Sequence, residues 1–231
     1  ELGIPAGIPV AIGGGDNMMG AIGTGNVRPG TMTMSLGTSG TVYAHADEPI
    51  VDADGEIAAF CSSTGGWLPL LCTMNCTVAT ELMRGLLGAD LAGFEQQIAS
   101  APRGSGGVLT LPFFNGERTP NLPEARGCIV GLDSTNTKPE NLLRSAVEGA
   151  TFALKSGIDK LGALGVAAEY VVVTGGGAVG QFAFGLEQML FFPLQLLRLD
   201  AVEPLNTDDD AIEEALKDLL ALEGPKKLDL R

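Results

Sequence analysis

The segment from Pro139 to Gly177 constrains the fold more than any other. A helix is predicted to begin near Pro139, which suits a first helical turn, with Thr137 and Glu140 spaced as a capping box. Leu143, Val147, Ala150, Leu154, Ile158 and Leu161 then recur every three or four residues, so one helical face is apolar. The helix feeds the apolar strand Tyr170-Val171-Val172-Val173. The turn Gly175-Gly176-Gly177 follows and is expected to open a second helix. Helix, strand, glycine turn and helix in this order predict an α/β layer fold.

The first sixty residues read as short apolar strands punctuated by glycine turns. Ile8 to Ile12 leads into Gly13-Gly14-Gly15-Asp16-Asn17, which offers a carboxylate on a tight turn. Thr31 to Leu36 alternates hydroxyl and apolar residues, and Thr41-Val42-Tyr43 continues beyond Gly37-Thr38-Ser39-Gly40, so a β-hairpin is predicted. That turn presents backbone N–H groups and small hydroxyls with no bulky side chain in the way, as a loop approaching phosphate oxygens requires. Taken singly, both turns are also ordinary turn chemistry. Together, a base, a phosphate loop and a nucleotide-sized gap read as phosphoryl transfer. Met74 to Leu87 has helical length and composition, closed by Gly88, and Leu109 to Phe114 is a short strand leading into Gly116-Glu117-Arg118-Thr119-Pro120.

Composition narrows the classes. The 231 residues are 45% hydrophobic with 33 glycines, enough for one large, turn-rich domain with a substantial core. A formal net charge of -14 argues against nucleic acid or an anionic membrane as a partner. Phosphates must then be bound locally. No apolar run reaches the roughly 18 residues of a membrane span. The first residues show no charged stretch followed by an apolar one, so the expected location is cytoplasmic. Cys61, Cys72, Cys76 and Cys128 lack ligand-rich surroundings and read as buried thiols, with Cys72 and Cys76 spaced to share a helical face and no metal site expected. The sole histidine, His45, removes the usual Ser-His and Cys-His arrangements, so proton transfer falls to a carboxylate.

The order of these motifs resembles the carboxyl-terminal half of the FGGY carbohydrate kinases, and among them the xylulokinases. The similarity runs from about Ile8 to Ala178 and is carried by Gly13 to Asn17, Ser35 to Gly40, Leu111 to Pro120 and Thr174 to Ala178, with Asn75 to Gly88 and Glu148-Gly149 in support. It implies an actin-like ATPase domain of the ribonuclease H-like class, a mixed sheet with flanking helices. It implies ATP with Mg²⁺ and a ketopentose, D-xylulose first, phosphorylated at its terminal hydroxyl, with gluconate, ribulose and glycerol as alternatives. Asp16 would be the general base; Gly37, Thr38, Ser39 and Gly40 would face the phosphates, and Gly175, Gly176 and Gly177 the adenosine. Glu117 and Arg118 are either an active-site pair or, the favoured reading, a structural clamp.

Two departures accompany the resemblance. After Ala178 the chain runs Val179-Gly180-Gln181-Phe182 and ends in Leu205 to Glu223, an acidic amphipathic segment led by Asp208-Asp209-Asp210, which suits a helix amino terminus rather than a cation site. The expected division is a kinase domain over 1–200 and an atypical acidic tail over 201–231. The family's amino-terminal domain, with its Asp-x-Gly-Thr phosphate motif, has no counterpart in this sequence. The chain is therefore expected to hold half of an active site and to turn nothing over alone, to need that domain as its partner, and to be compatible with a homodimer. The competing class is a catalytically silent module that at most binds nucleotide weakly.

Overall fold

The computed structural model describes residues 13–178 and 197–199. Its elements are helix α1 (Asp16–Gly23), strands β1 (Gly30–Leu36), β2 (Gly40–Ala44), β3 (Ala58–Cys61) and β4 (Trp67–Thr73), helices α2 (Thr77–Leu86) and α3 (Leu91–Ser100), strands β5 (Leu109–Leu111) and β6 (Cys128–Val130), helix α4 (Pro139–Ala163), and strands β7 (Ala168–Thr174) and β8 (Leu197–Leu199). Six strands form one sheet in the order β3-β4-β2-β1-β7-β8, and β5 and β6 form a separate ribbon. From β3 to β1 neighbouring strands are antiparallel, whereas β7 and β8 run parallel to β1. The predicted hairpin is present, with Leu36 opposite Gly40 across the turn. Ile8 to Ile12, the helix after Gly177, the Leu205 to Glu223 segment and the 201–231 tail all lie outside the described residues.

Helix α4 begins at Pro139 as expected and carries the main core. Leu143, Ala146, Val147, Ala150, Leu154 and Leu161 are fully buried and meet Met32, Met34 and Leu71 of the sheet and Phe94 and Ile98 of α3 in one cluster. Gly157 fixes how closely α4 lies on the sheet, because a Cβ there would stand 2.6 Å from Leu71 Cδ1. The start of α4 differs from the expected capping box. Lys138 is the N-cap and no side chain caps the helix. Thr137 instead donates its hydroxyl to the Asp133 carbonyl, and the Asp133 carboxylate collects Thr135 N–H at 2.6 Å, the Thr135 hydroxyl at 2.7 Å and Asn136 N–H at 3.0 Å. A self-contained Asx turn competes for the same residues and wins. The Thr135 and Asn136 donors hold Asp133 below the usual carboxylate range.

Polar residues are buried where chain segments must be tied together. Arg144 and Glu148 are each 4% exposed and pair at 2.7 Å on one face of α4. Arg144 also donates to the carbonyls of Ile98 (3.3 Å) and Ala101 (3.1 Å) at the end of α3, while Glu148 accepts from Gly104 N–H (3.1 Å) and the Ser105 hydroxyl (2.8 Å). A buried ion pair is stable only when its remaining donors and acceptors are also satisfied, as they are here. Arg144→Ala would take the Arg144 cation from Glu148 and the guanidinium donor from the Ile98 and Ala101 carbonyls. It is expected to cost about 3–5 kcal/mol, against about 1–2 kcal/mol for Ser105→Ala, which removes one donor. Urea unfolding of the two variants checks the order; equal losses would remove the ion pair from its structural role.

Candidate active site

Strands β1 and β7 are parallel, with Ser35 opposite Thr174, so both carboxyl ends open at one edge of the sheet. The Gly37-Thr38-Ser39-Gly40 turn leaves β1 there and the Gly175-Gly176-Gly177 turn leaves β7 beside it. In open α/β sheets this edge is where ligands bind. The two turns interlock: Gly175 has φ +93, and a Cβ on it would stand 2.8 Å from the Leu36 carbonyl oxygen. A Cβ on Gly177 would stand 3.0 Å from both Leu36 Cβ and Thr77 Cγ2. Gly176 is exposed and a Cβ there would meet nothing within 4 Å.

The hairpin turn also begins helix α2. The Gly37 carbonyl accepts Thr77 N–H at 3.0 Å and the Thr38 carbonyl accepts Cys76 N–H at 3.0 Å. The first N–H groups of α2 are thus consumed by the turn and are not offered to a ligand. The N–H groups of Thr38 and Ser39, by contrast, meet no acceptor among the described residues, and Thr38 is exposed. These are the donors an anion would find.

Asp16 is not on a tight turn, as its glycine surroundings suggested, but is the first residue of α1, with Gly15 as extended N-cap. A carboxylate is favoured there by the helix dipole. Asp16 is exposed, and its Oδ1 accepts Asn17 N–H at 2.9 Å, while Oδ2 meets no donor among the described residues. The Thr41 hydroxyl donates to Asn17 Oδ1 at 3.2 Å. This bond fixes the start of α1 to the residue immediately after the hairpin turn. Beneath it, Gly20 sits so close to Tyr43 that a Cβ would stand 2.7 Å from the phenol oxygen. Burial, and then the Asp16 charge, push Tyr43 up to about 12. Asn26, fully buried, secures the far end of α1: its Nδ2 donates to Thr33 Oγ1 (3.1 Å) and the Tyr43 carbonyl (3.0 Å), and its Oδ1 accepts His45 N–H (2.9 Å).

Glu117 behaves as a clamp. It is 2% exposed, and its carboxylate accepts Met74 N–H at 2.6 Å, Arg118 N–H at 2.8 Å and Asn75 Nδ2 at 3.1 Å. Asn75 completes the joint, donating to the Gly116 carbonyl at 2.7 Å and accepting Asn115 N–H at 3.1 Å. Arg118 is different. Its side chain is exposed and its charge acts on the Cys72 thiol, whose Sγ itself donates to the Thr73 carbonyl at 3.6 Å, so Glu117 and Arg118 do not act as one pair. Cys72 lies opposite Thr41 across the β2–β4 ladder, which brings Arg118, Cys72, Thr41, Asn17 and Asp16 together on one side of the sheet.

The cysteines correct the expectation of four buried thiols. Cys61 and Cys128 are exposed, Cys72 is half-buried on β4 and Cys76 is buried as the N-cap of α2, so Cys72 and Cys76 share no helical face. Among the described residues no group of three or more His, Cys, Asp or Glu side chains could hold a metal ion.

Comparison with known proteins gives this geometry a family. A model of the FGGY family of carbohydrate kinases, C-terminal domain, matches residues 32–183. That range contains both glycine turns and Glu117-Arg118, but not Asp16. The xylulose kinase of Haemophilus influenzae is 50% identical over 173 residues, 75% of this chain and 35% of that protein. The xylulose kinase of Streptomyces rubiginosus is 45% identical over 159 residues, 69% of this chain and 31% of that protein. Among solved structures, the xylulose kinase from Bifidobacterium adolescentis superposes with a TM-score of 0.68 at 35% identity, covering 74% of this chain and 33% of that one. The chain thus spans about a third of the length of the curated relatives it matches. It belongs to the FGGY family of carbohydrate kinases, and its sheet with flanking helices is the actin-like ATPase fold.

The Cys72 thiol can report on the charges around it. Burial raises it, Arg118 lowers it, and Glu117 and Asp16 raise it. Removing the Asp16 charge should therefore lower its titration midpoint, and Arg118→Gln should raise it further. The pH dependence of Cys72 alkylation by iodoacetamide, followed by peptide mass spectrometry, checks both directions. Cys61 and Cys128 should label readily in the same samples, and Cys76, pushed up to about 12 by burial, only on unfolding.

Proposed function

We propose that the protein carrying this FGGY domain transfers the γ-phosphoryl group of ATP to the terminal hydroxyl of a ketopentose, D-xylulose, with Asp16 as the general base. The observation that carries the reading is the Thr41–Asn17 hydrogen bond at 3.2 Å. It couples an exposed carboxylate at a helix amino terminus to the edge of a turn whose N–H groups are open to an anion. Phosphoryl transfer asks little covalent chemistry of a protein and much positioning. Asp16 supplies a fixed acceptor: Oδ1 is occupied by Asn17, and Oδ2 is left for the hydroxyl proton. The names of the relatives support the choice of D-xylulose.

The residues present fit a nucleotide at the sheet edge. Thr38 and Ser39 would meet its phosphates through backbone N–H groups, Gly37 and Gly40 would close the turn around them with the Gly40 N–H taken by Thr73 Oγ1 at 3.3 Å, and Gly175, Gly176 and Gly177 would let its sugar or base lie against bare backbone. Mg²⁺, which no cluster among the described residues would hold and which would come with the nucleotide, would supply positive charge to offset what accumulates on the phosphates. Thr38 and Ser39 would orient the phosphate end while Asp16 takes the proton from the attacking oxygen.

In the full-length protein, Asp16→Asn should lower kcat by about 10²–10⁴-fold, the usual range for general base catalysis, with the thermal midpoint unchanged. A folded variant that keeps more than about a tenth of wild-type turnover would remove Asp16 from the mechanism. A panel of D-xylulose, D-ribulose, gluconate and glycerol tests the substrate. Two glycine variants separate binding from folding. Gly176→Val, placed in open space, should raise the KM for ATP several-fold and leave stability and the sugar KM alone. Gly175→Ala, forced to positive φ against Leu36, should cost about 1–3 kcal/mol of stability. An unchanged ATP dependence in Gly176→Val would take this turn out of the nucleotide site.

A further inference from the structure

We propose that Arg118 is the cation that receives the phosphoryl group as it arrives at the acceptor oxygen, an inference that rests on the kinase reading and on Asp16 as its base. Three observations carry it. The backbone of Arg118 is fixed with unusual thoroughness. Its N–H is held by the buried Glu117 carboxylate at 2.8 Å, Glu117 itself exchanges N–H and carbonyl with Leu122 at 2.8 and 3.0 Å, and Thr119 reaches the Glu56 carbonyl at 3.4 Å. Gly116, at φ +68, completes the joint, since a Cβ on it would stand 2.1 Å from the Pro123 carbonyl oxygen. Yet the side chain on this rigid platform is exposed. Such positioning exceeds what a merely solvated arginine needs.

The second observation is charge. Arg118 has no carboxylate ion-pair partner among the described residues, in a chain whose net charge is -14. The other described cations near carboxylates are engaged: Arg84 with Glu81, Arg144 with Glu148, Lys155 with Asp159, and Lys160 with Asp52, Asp54 and Glu56. The side-chain group on which the Arg118 charge acts is the half-buried Cys72 thiol, which does not neutralise it.

The third is place. The Glu117 carboxylate holds the N–H groups of Arg118 and of Met74, the residue after β4, two beyond Cys72; Cys72 pairs with Thr41 and Thr41 holds Asn17, so Arg118 and Asp16 flank one short stretch of β2 and β4. Asp16 and Arg118 both act on the Cys72 thiol, in opposite directions. A carboxylate to take a proton and a planar, forked cation to hold equatorial phosphate oxygens are the two protein groups an in-line transfer uses beyond the nucleotide loop. The step balances as follows. The acceptor oxygen forms its bond to the γ-phosphorus, the bond from that phosphorus to the β–γ bridging oxygen breaks, ADP leaves with the electron pair, and the hydroxyl proton passes to Asp16. Arg118 stabilises charge on the migrating group and exchanges no proton.

The test uses the full-length protein with Arg118→Gln and Arg118→Lys. Arg118→Gln should lower kcat by at least about 10²-fold, below the range for a transition-state arginine supplied in other phosphoryl transfers, with the KM for unphosphorylated sugar within about threefold. Arg118→Lys, which keeps charge but not the fork, should recover part of the loss. Binding of inorganic phosphate, followed by ³¹P line broadening, should weaken at least tenfold in Arg118→Gln and stay unchanged in Asp16→Asn. Phosphate binding that depends on Arg118 in a protein that phosphorylates no sugar would overturn the kinase reading and leave the anion site standing. Phosphate binding and kcat both unchanged in Arg118→Gln, or a loss confined to thermal stability, would overturn the assignment of Arg118 itself.

Discussion

The parallel pairing of β1 with β7 is the constraint on which the rest of the structure depends. Two parallel strands cannot be joined by a tight turn, so the chain must cross the sheet between them, and α4 is the last and longest part of that crossing. Its apolar stripe covers the sheet, and its residue Leu154 lies against Gly40, where an added Cβ would stand 2.7 Å away. The same pairing puts the ends of β1 and β7 side by side. Both glycine turns therefore face one edge without any direct bond designed between them.

Acidic residues in this chain stand in two kinds of surroundings, told apart by what meets their oxygens. Glu117 is taken up by backbone N–H groups and Asn75, Glu148 by a backbone N–H and the buried Arg144, and Asp52 by backbone N–H groups and the half-buried Lys160. Burial alone would raise Asp52, but the N–H groups of Ile57, Asp54 and Glu56 and the Lys160 ammonium hold it below the usual carboxylate range. These carboxylates act as fixed acceptors that pin loops to the core. Asp16 is exposed and half-satisfied, stabilised by a helix dipole rather than enclosed. A group that must exchange a proton with a ligand needs one oxygen left over, and only an unfinished hydrogen-bond set provides it.

How much was legible in the sequence follows the range of the interaction. The hairpin, α4 and β7 are encoded by local period and turn chemistry, and each appears within a few residues of its expected bounds. Helix α1 was read as a turn because three glycines precede it, although Asp16 at the first position and Met18, Ala21 and Ile22 behind it form a start signal and a one-sided apolar pattern. Helix α3, opened by Asp90 accepting from Gly93 N–H at 2.7 Å, was likewise missed, although Leu91, Phe94 and Ile98 recur at helical spacing behind a capping aspartate. The clamp at Glu117 was anticipated in role but not in partners. Met74 and Asn75 lie more than forty residues away in sequence, and no spacing rule connects them. Asn26 and Arg144 were invisible for the same reason: a buried polar residue declares its function only when its partners arrive.

The glycines divide along a similar line, and the division separates what the fold requires from what a ligand would require. At Gly116, Gly157 and Gly175 an added Cβ would strike backbone or core within 2.8 Å, so these positions are explained by packing or turn geometry alone. At Gly13 and Gly176 nothing lies within 4 Å among the described residues, so packing there does not require glycine. A glycine costs conformational entropy on folding, but open space alone does not call for a ligand, since Gly23, Gly85 and Gly162 are as open inside α1, α2 and α4. What sets Gly176 apart is its place beside the Gly37-Thr38-Ser39-Gly40 turn, where bare backbone would matter to a nucleotide bound as proposed. The same subtraction applies to Arg118: once Glu117 and Asn75 have accounted for its backbone, the side chain is what the fold leaves unexplained.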